Sequence, residues 1–223
     1  MLKMAVKIAT PVSTGHSGLE WQVAPEPVPY VEAVKIMEQR VADIEAGRAP
    51  ELIWLLEHPP LYTAGTSAAE SELLDARFPV FKTGRGGRFT YHGPGQRVIY
   101  CMMDLRKRGR DVRAHVCRLE EWVIRVLKDI GIKGDRRAGR IGIWVDDKRQ
   151  EKKIAAIGVR VRRWIAYHGL SFNVNPDLSH YAGIVPCGLA EFGVTSLEAL
   201  GVKATMGDTD KIFKNQTKEI FGE

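Results

Sequence analysis

Apolar residues recur along this chain at two distinct periods. Tyr30, Ala33, Val34, Met37, Val41 and Ile44 follow a three-and-four spacing that predicts a helix, with Pro29 before it and Gly47 at its end. Leu52-Ile53-Trp54-Leu55-Leu56 is a short continuous apolar run, the pattern of a strand buried on both faces. It stops at His58-Pro59-Pro60, because proline has no N–H for a strand ladder. Pro79 to Lys82 and Arg97 to Met103 read as further strands with a glycine-rich loop between them. Asp111 is placed to cap a second helix carrying Val112, Val116, Leu119, Val123, Val126, Leu127 and Ile130, with Gly131 as its stop.

Farther on, Arg140 to Val145, an Asp146-Asp147 turn, Lys153 to Val161 and Trp164 to Val174 predict antiparallel strands. Thr195-Ser196-Leu197-Glu198 has capping-box spacing and predicts a short helix ending near Gly201. Residues 208–221 predict a last helix with Ile212, Phe213, Ile220 and Phe221 on one side. Strands cluster with few helical crossovers. The expected class is therefore α+β, a mixed and largely antiparallel sheet flanked by helices. No repeat, low-complexity tract or linker interrupts the chain, so one domain is expected over residues 1–223.

Composition narrows the function classes. Hydrophobic residues make up 44% and charged residues 27%, ordinary globular values that support a sizeable core. No stretch approaches the roughly 18 apolar residues of a membrane span. After Lys3 and Lys7, the polar Thr10, Ser13 and Thr14 and the breaker Pro11 come before any apolar h-region, so no signal peptide is read and a cytoplasmic site is expected. Cys101, Cys117 and Cys187 form no Cys-x-x-Cys pair, and the histidines lack metal-ligand spacing; neither a disulfide framework nor a metal site is expected. The net charge of +6 favours an anionic partner. It is dispersed through Arg106-Lys107-Arg108, Arg136-Arg137 and Lys148 to Lys153, rather than gathered in a tail.

Three segments carry candidate chemistry. Between Gly84 and Gln96, five glycines surround Arg85, Arg88, Tyr91 and His92, so that a sharply turning backbone lies beside a phenol, an imidazole and guanidinium groups. The phosphate-loop pattern is absent. In Ile184-Val185-Pro186-Cys187-Gly188-Leu189, a cysteine between Pro and Gly can be presented to a pocket, whereas Cys101 and Cys117 read as small buried hydrophobes. A nucleophilic cysteine needs a group that promotes its thiolate. Lys153 opens an otherwise apolar strand, where dehydration would favour the neutral amine a general base requires; Lys152 is its competitor, and on a strand only one of the two points inward. His168-Gly169, at a strand kink, either lines a site or belongs to the core.

Together these segments resemble the octanoyltransferases of lipoate synthesis. The matching pieces are Trp54 to Pro60 with Tyr62-Thr63-Ala64-Gly65, the Arg85 to Gln96 loop, Lys153 to Arg160, His168 to Val174, and Pro186-Cys187-Gly188, in family order across residues 50–197. Arg88 and Cys101 depart from the family pattern and touch substrate detail rather than the reaction. The resemblance implies a catalytic domain like those of biotin and lipoate protein ligases, with Cys187 as nucleophile and Lys153 as base. It implies acyl-site positions at Arg85, Gly86, Gly87, Arg88, Phe89, Thr90, Tyr91 and His92, at Ala156, Ile157 and Gly158, and at Gly169, Leu170 and Ser171. Octanoyl-acyl carrier protein is the implied donor. Lipoyl domains of 2-oxoacid dehydrogenase complexes and the glycine cleavage H protein are the implied acceptors. No cofactor, metal, nucleic acid or membrane is implied, and a monomer is expected.

An octanoyl tail gains roughly 0.8 kcal/mol per buried methylene. Chain-length discrimination of about 1–3 kcal/mol per methylene is therefore expected. Oxyanion donors are expected among backbone N–H groups near Gly87 and Cys187. Two rival readings remain open on sequence: an ATP-dependent lipoate or biotin ligase of the same fold, and a non-catalytic binder of acidic carrier domains.

Overall fold

The computed structural model describes residues 18–148, 150–185 and 192–222. Its elements in chain order are β1 (Leu19–Val23), α1 (Tyr30–Glu45), β2 (Glu51–Leu56), β3 (Leu61–Ala64), β4 (Val80–Lys82), β5 (Phe89–His92), β6 (Gln96–Asp104), α2 (Val112–Asp129), β7 (Gly134–Arg137), β8 (Arg140–Asp147), β9 (Gln150–Arg162), β10 (Ile165–Asn173), β11 (Gly193–Val194) and α3 (Met206–Phe221). Among the described residues, the large sheet runs β1-β2-β6-β10-β9-β8-β7, with β11 added alongside β9. Its pairings are antiparallel except β1 with β2 and β11 with β9. A second sheet, β4-β3-β5, carries the glycine-rich region. The α+β class and largely antiparallel sheet are as the pattern predicted.

Strand alternation explains why the β2 run is apolar throughout. Leu52, Trp54 and Leu56 pack with Ala33, Met37, Val41 and Ile44 of α1. Ile53 and Leu55 point the other way, into the cluster containing Leu119, Trp122, Val123, Val126 and Leu127 of α2 and Phe213, Ile220 and Phe221 of α3. β6 repeats the division, with Val98, Tyr100 and Met102 toward α1, and Ile99, Cys101 and Met103 toward α2 and α3. A sheet covered on both faces leaves no position for polar alternation. The caps follow the same local chemistry. Asp111 accepts a hydrogen bond from the Ala114 N–H, and Gly131 takes a positive φ of 83° just past α2.

The structure corrects several expectations. The span from Gly84 to Gln96 is not one loop, because Phe89 to His92 form β5, paired antiparallel with β3. β1, β3 and β7 carry too little periodicity to have been read. The turn after β8 falls one residue beyond the Asp146-Asp147 pair, at Lys148, which adopts φ 53°. Thr195 to Glu198 open no helix; Ser196 Oγ accepts from the Ala199 N–H at 3.1 Å within a single turn closed at Gly201. The last helix begins at Met206 because Thr205 and Asp208 form a reciprocal capping box. Cys117 is exposed rather than buried, since it lies off the Leu119–Val123–Val126 stripe of α2.

Candidate active site

β9 and β10 run down the middle of the large sheet, and β5 with its preceding loop lies against them. Between them is a cavity of about 530 Å³, within the usual range for small-molecule sites. The preceding loop is seated by close approach. Gly86 donates its N–H to the Val159 carbonyl at 3.0 Å, and a Cβ on Gly158 would stand 3.0 Å from the Gly86 oxygen. The Arg85 guanidinium staples this arrangement, donating to the carbonyls of Thr63 and Gly86 at 2.9 Å and to Thr63 Oγ1 at 2.6 Å. Arg88 forms an ion pair with Glu72.

Most of the expected residues meet at this cavity. From the loop and β5, Arg85, Gly86, Gly87, Arg88, Phe89, Thr90 and His92 line it. From β9 come Lys153, Ala156, Ile157 and Gly158, and from β10 Gly169, Leu170 and Ser171. Tyr91 is not among them. It alternates to the other face of β5, where its hydroxyl bonds His180 Nδ1 at 2.7 Å, and burial pushes the phenol up to about 12. Cys187 lies outside the described residues. The chain on either side of its segment is placed. Val185 donates its N–H to the Glu72 carbonyl at 2.8 Å, and Phe192 stacks edge-on against Trp144 at 5.5 Å.

Of the two adjacent lysines, Lys153 faces the cavity. A bulge between Ile143 and Trp144 in the β8–β9 pairing breaks the alternation, so that Lys153, Ile154 and Ala155 are consecutively buried. Lys153 is only 5% exposed. Its ammonium donates to the Ile141 carbonyl at 2.8 Å and stands 4.7 Å from the centre of the Trp144 ring. Lys152 instead pairs with Asp147 at 2.8 Å, and that hydrogen bond holds the Asp147 carboxyl below its ordinary range.

Histidines and tyrosines form a buried polar wall. His58 Nδ1 donates to the Val28 carbonyl at 2.6 Å, so its Nε2 accepts from the Tyr100 hydroxyl at 2.8 Å. Burial lowers His58 to about 4 and His168 to about 3, and holds His92 well below its usual value. All three are therefore neutral at pH 7. The tautomer of His92 follows from its neighbours. The Thr195 carbonyl can only accept, so Asn173 turns Nδ2 toward it at 2.9 Å and Oδ1 toward Gln96. Gln96 then presents Nε2 to Asn173 at 3.0 Å and Oε1 to His92 Nδ1 at 2.7 Å. His92 thus carries its proton on Nδ1. Its Nε2 accepts from Thr63 Oγ1, a long contact at 3.4 Å.

Sequence reasoning missed other lining residues. Val98 and Tyr100 line the cavity from β6, and their alternation along that strand was a usable signal. Tyr30, Arg140 and Ile141 also line it but carried no local signal, because the packing of α1 on β6 and β10 and the pairing of β8 with β9 bring them there. His168 lines it in a left-handed conformation, φ 59°, the kink suspected at His168-Gly169. Among the described residues, no cluster of three or more His, Cys, Asp or Glu could hold a metal ion, and no helix is long and apolar enough to cross a membrane.

Comparison with known proteins places this site in context. The family model for the lipoyl protein ligase A/B catalytic domain matches residues 29–218. A protein of Paramagnetospirillum magneticum named octanoyltransferase is 59% identical over 206 residues, covering 92% of this chain and 97% of its own. One from Rhizorhabdus wittichii with the same name is 62% identical over 198 residues, covering 88% and 89% respectively. Among solved structures, lipoate-protein ligase A bound with ATP superposes with a TM-score of 0.65 at 14% identity, covering 88% of this chain and 84% of that one. A putative lipoate protein ligase of T. acidophilum gives 0.63 at 14% identity, covering 92% and 85%. At such identities these two structures establish the shared fold alone.

Proposed function

The chain belongs to the lipoyl protein ligase A/B catalytic-domain family, and within it to the octanoyltransferases, which are acyltransferases; from that premise we propose that it moves an octanoyl group from acyl carrier protein to a lysine of apo lipoyl domains through an acyl-thioester on Cys187. Octanoyl transfer in lipoate biosynthesis is the activity of the octanoyltransferases; the donor, the covalent intermediate and the base are proposed. The observation that carries it is the position of Lys153, a buried amine at the edge of a cavity lined by Ala156, Gly158 and Ser171. Support for Cys187 as its partner comes from the chain that follows it. Phe192 packs on Trp144, the ring beneath the Lys153 ammonium, and Val194 pairs in register with Lys153 itself.

In the first half-reaction, Cys187 gives its proton to the Lys153 amine, and its thiolate attacks the donor thioester carbonyl. The new C–S bond forms, the bond to the carrier sulfur breaks, and the departing thiolate takes the proton from Lys153. One thioester replaces another, so no ATP is consumed. In the second half, the acceptor's neutral lysine amine attacks the octanoyl-enzyme. Lys153 receives the proton this amine sheds and returns it to the Cys187 sulfur as the amide forms. The dispersed positive charge of the chain suits acidic carrier and lipoyl domains, as electrostatic steering of their approach.

The test is incubation with octanoyl-acyl carrier protein and an apo lipoyl domain without ATP, followed by intact mass of all three proteins. An octanoyl adduct on the enzyme, labile to hydroxylamine and lost in Cys187→Ala, is expected. Full activity in Cys187→Ala, or a strict requirement for ATP, would overturn the covalent route.

A further inference from the structure

Gln96 and Asn173 are buried amides on adjacent strands, directly opposite each other in the β6–β10 register, and the reaction above gives neither a task. Their hydrogen bonds run to both flanks of one chain segment. Upstream of it, the Tyr181 hydroxyl donates to Asn173 Oδ1 at 3.2 Å and lies 2.8 Å from Gln96 Nε2. The same flank is held by the small sheet, since Tyr62 donates to the His180 carbonyl at 2.7 Å and Tyr91 bonds the His180 ring. Downstream, Asn173 Nδ2 donates to the Thr195 carbonyl at 2.9 Å, and the Asn173 carbonyl accepts from the Leu197 N–H at 3.1 Å. Thr195 in turn donates its N–H to the Lys153 carbonyl at 2.9 Å.

We propose that Gln96 and Asn173 are positioning residues: one cross-strand amide pair sets the separation of the two chain ends that flank Cys187, and so the register of its thiol against Lys153. The proposal rests on Cys187 being the nucleophile. An apolar pair would fill this space, as Leu170 and Ile99 do farther along the same two strands. It could not bond a hydroxyl on one flank and a carbonyl on the other, and those groups would be left buried and unsatisfied. The pair is also oriented. The fixed Thr195 carbonyl sets Asn173, Asn173 sets Gln96, and Gln96 sets the His92 tautomer, so one hydrogen-bond chain joins the cavity wall to the downstream flank.

Two variants test this in a Cys117→Ser background, which removes the exposed thiol that would otherwise take up alkylating reagent. Asn173→Asp keeps the shape and the acceptor toward Gln96 and, as the carboxylate, offers no donor to Thr195; Tyr181→Phe deletes only the upstream hydroxyl. The measurements are kcat and KM for octanoyl-acyl carrier protein, the rate of Cys187 alkylation by iodoacetamide against pH, and the melting temperature. Asn173→Asp is expected to lower kcat roughly 10- to 100-fold while KM stays within about threefold. Its alkylation profile is expected to move to higher pH as the thiol loses register with its basic partner. Tyr181→Phe is expected to move both quantities in the same direction by less.

Parent-like kcat and alkylation in a folded Asn173→Asp would overturn the proposal. Should that variant fail to fold, the same result in Tyr181→Phe overturns it. Cys187→Ala separates the two levels. If that variant is inactive while both positioning variants behave as the parent, only the positioning role fails; if it is fully active, the nucleophile assignment fails and the positioning role with it.

Discussion

Replacing Lys153 by arginine separates the loss of a proton acceptor from the loss of a charge. The guanidinium can still donate to the Ile141 carbonyl, 2.8 Å from the present ammonium, and can still lie over Trp144. Arginine keeps its proton at any pH where the protein is folded, so it cannot take one from a thiol or an amine. Losing a positioned general base costs typically about 10²–10⁴ in rate. That is about 3–5 kcal/mol of barrier at roughly 1.4 kcal/mol per decade. Crowding is the competing effect. Even a Cβ on Gly142 would stand only 3.2 Å from Lys153 Cε and 3.3 Å from Nζ, so the wider guanidinium presses on that strand. Overpacking of this kind costs about 1–3 kcal/mol of stability. For a chain of this size each kcal/mol lowers the melting temperature by roughly 2–4 °C. The two effects are read separately. Crowding appears in the melting curve, and the lost base appears in single-turnover formation of octanoyl-enzyme, followed by quenched intact mass well below the melting temperature. A folded Lys153→Arg enzyme that acylates within about threefold of the wild-type rate would refute the base assignment, because no general-base role is that small.

Other outcomes follow from the packing. Burial holds His58 near 4, His168 near 3 and His92 well below its usual value. The unfolded chain, with histidines titrating near 6.5, therefore binds more protons below that pH than the folded one. Urea midpoints should be level above about pH 7 and fall as pH drops through 6.5; a midpoint that stays constant from pH 7 to 5.5 contradicts this. Arg97 and Asp210 form a two-pronged buried pair at 2.8 and 2.9 Å that ties α3 to β6, although burial raises the Asp210 carboxyl. Arg97→Met should cost about 3–5 kcal/mol by chemical denaturation, and adding Asp210→Leu should recover most of it. Gly169→Ala would drive a methyl into the Ile99 carbonyl oxygen across the central β6–β10 pair. A loss of about 1–3 kcal/mol is expected, and an unchanged denaturation midpoint would show that the strands yield.

Where the chain's own pattern was strong, the elements were legible. The α1 and α2 stripes, the doubly buried β2, and the long β9 and β10 all announced themselves by period and by their breaker residues. β3 and β5 did not, because strands as short as Leu61–Ala64 and Phe89–His92 hold too few positions to show a period, and glycine on either side of β5 mimics a loop. Cys117 was misread by residue type although its helical phase already placed it off the buried stripe. The site was legible as chemistry: a glycine-rich loop with Arg85 and His92, a lysine in an apolar strand, and small residues at Ala156, Gly158 and Gly169 all lie at one cavity. Tyr91 was placed with them by the family resemblance, and strand alternation turns it to the opposite face of β5.

Sequence alone determined α1, α2 and the long or doubly buried strands β2, β6, β9 and β10, and which residue types are available for acyl transfer, because period, caps and breakers act within a few residues. Tertiary structure decided which of them meet. Lys153 rather than Lys152 faces the cavity because a bulge against β8 breaks the alternation of β9. Tyr100 and Ile141 join the site because the sheet order places β6 beside β10, and β8 beside β9, and Tyr30 joins it because α1 packs on β6 and β10. The His92 proton sits on Nδ1 because a carbonyl at Thr195, far along the chain, can only accept. Each of these is set by a partner distant in sequence, and neither a local period nor a residue's own identity encodes who that partner is.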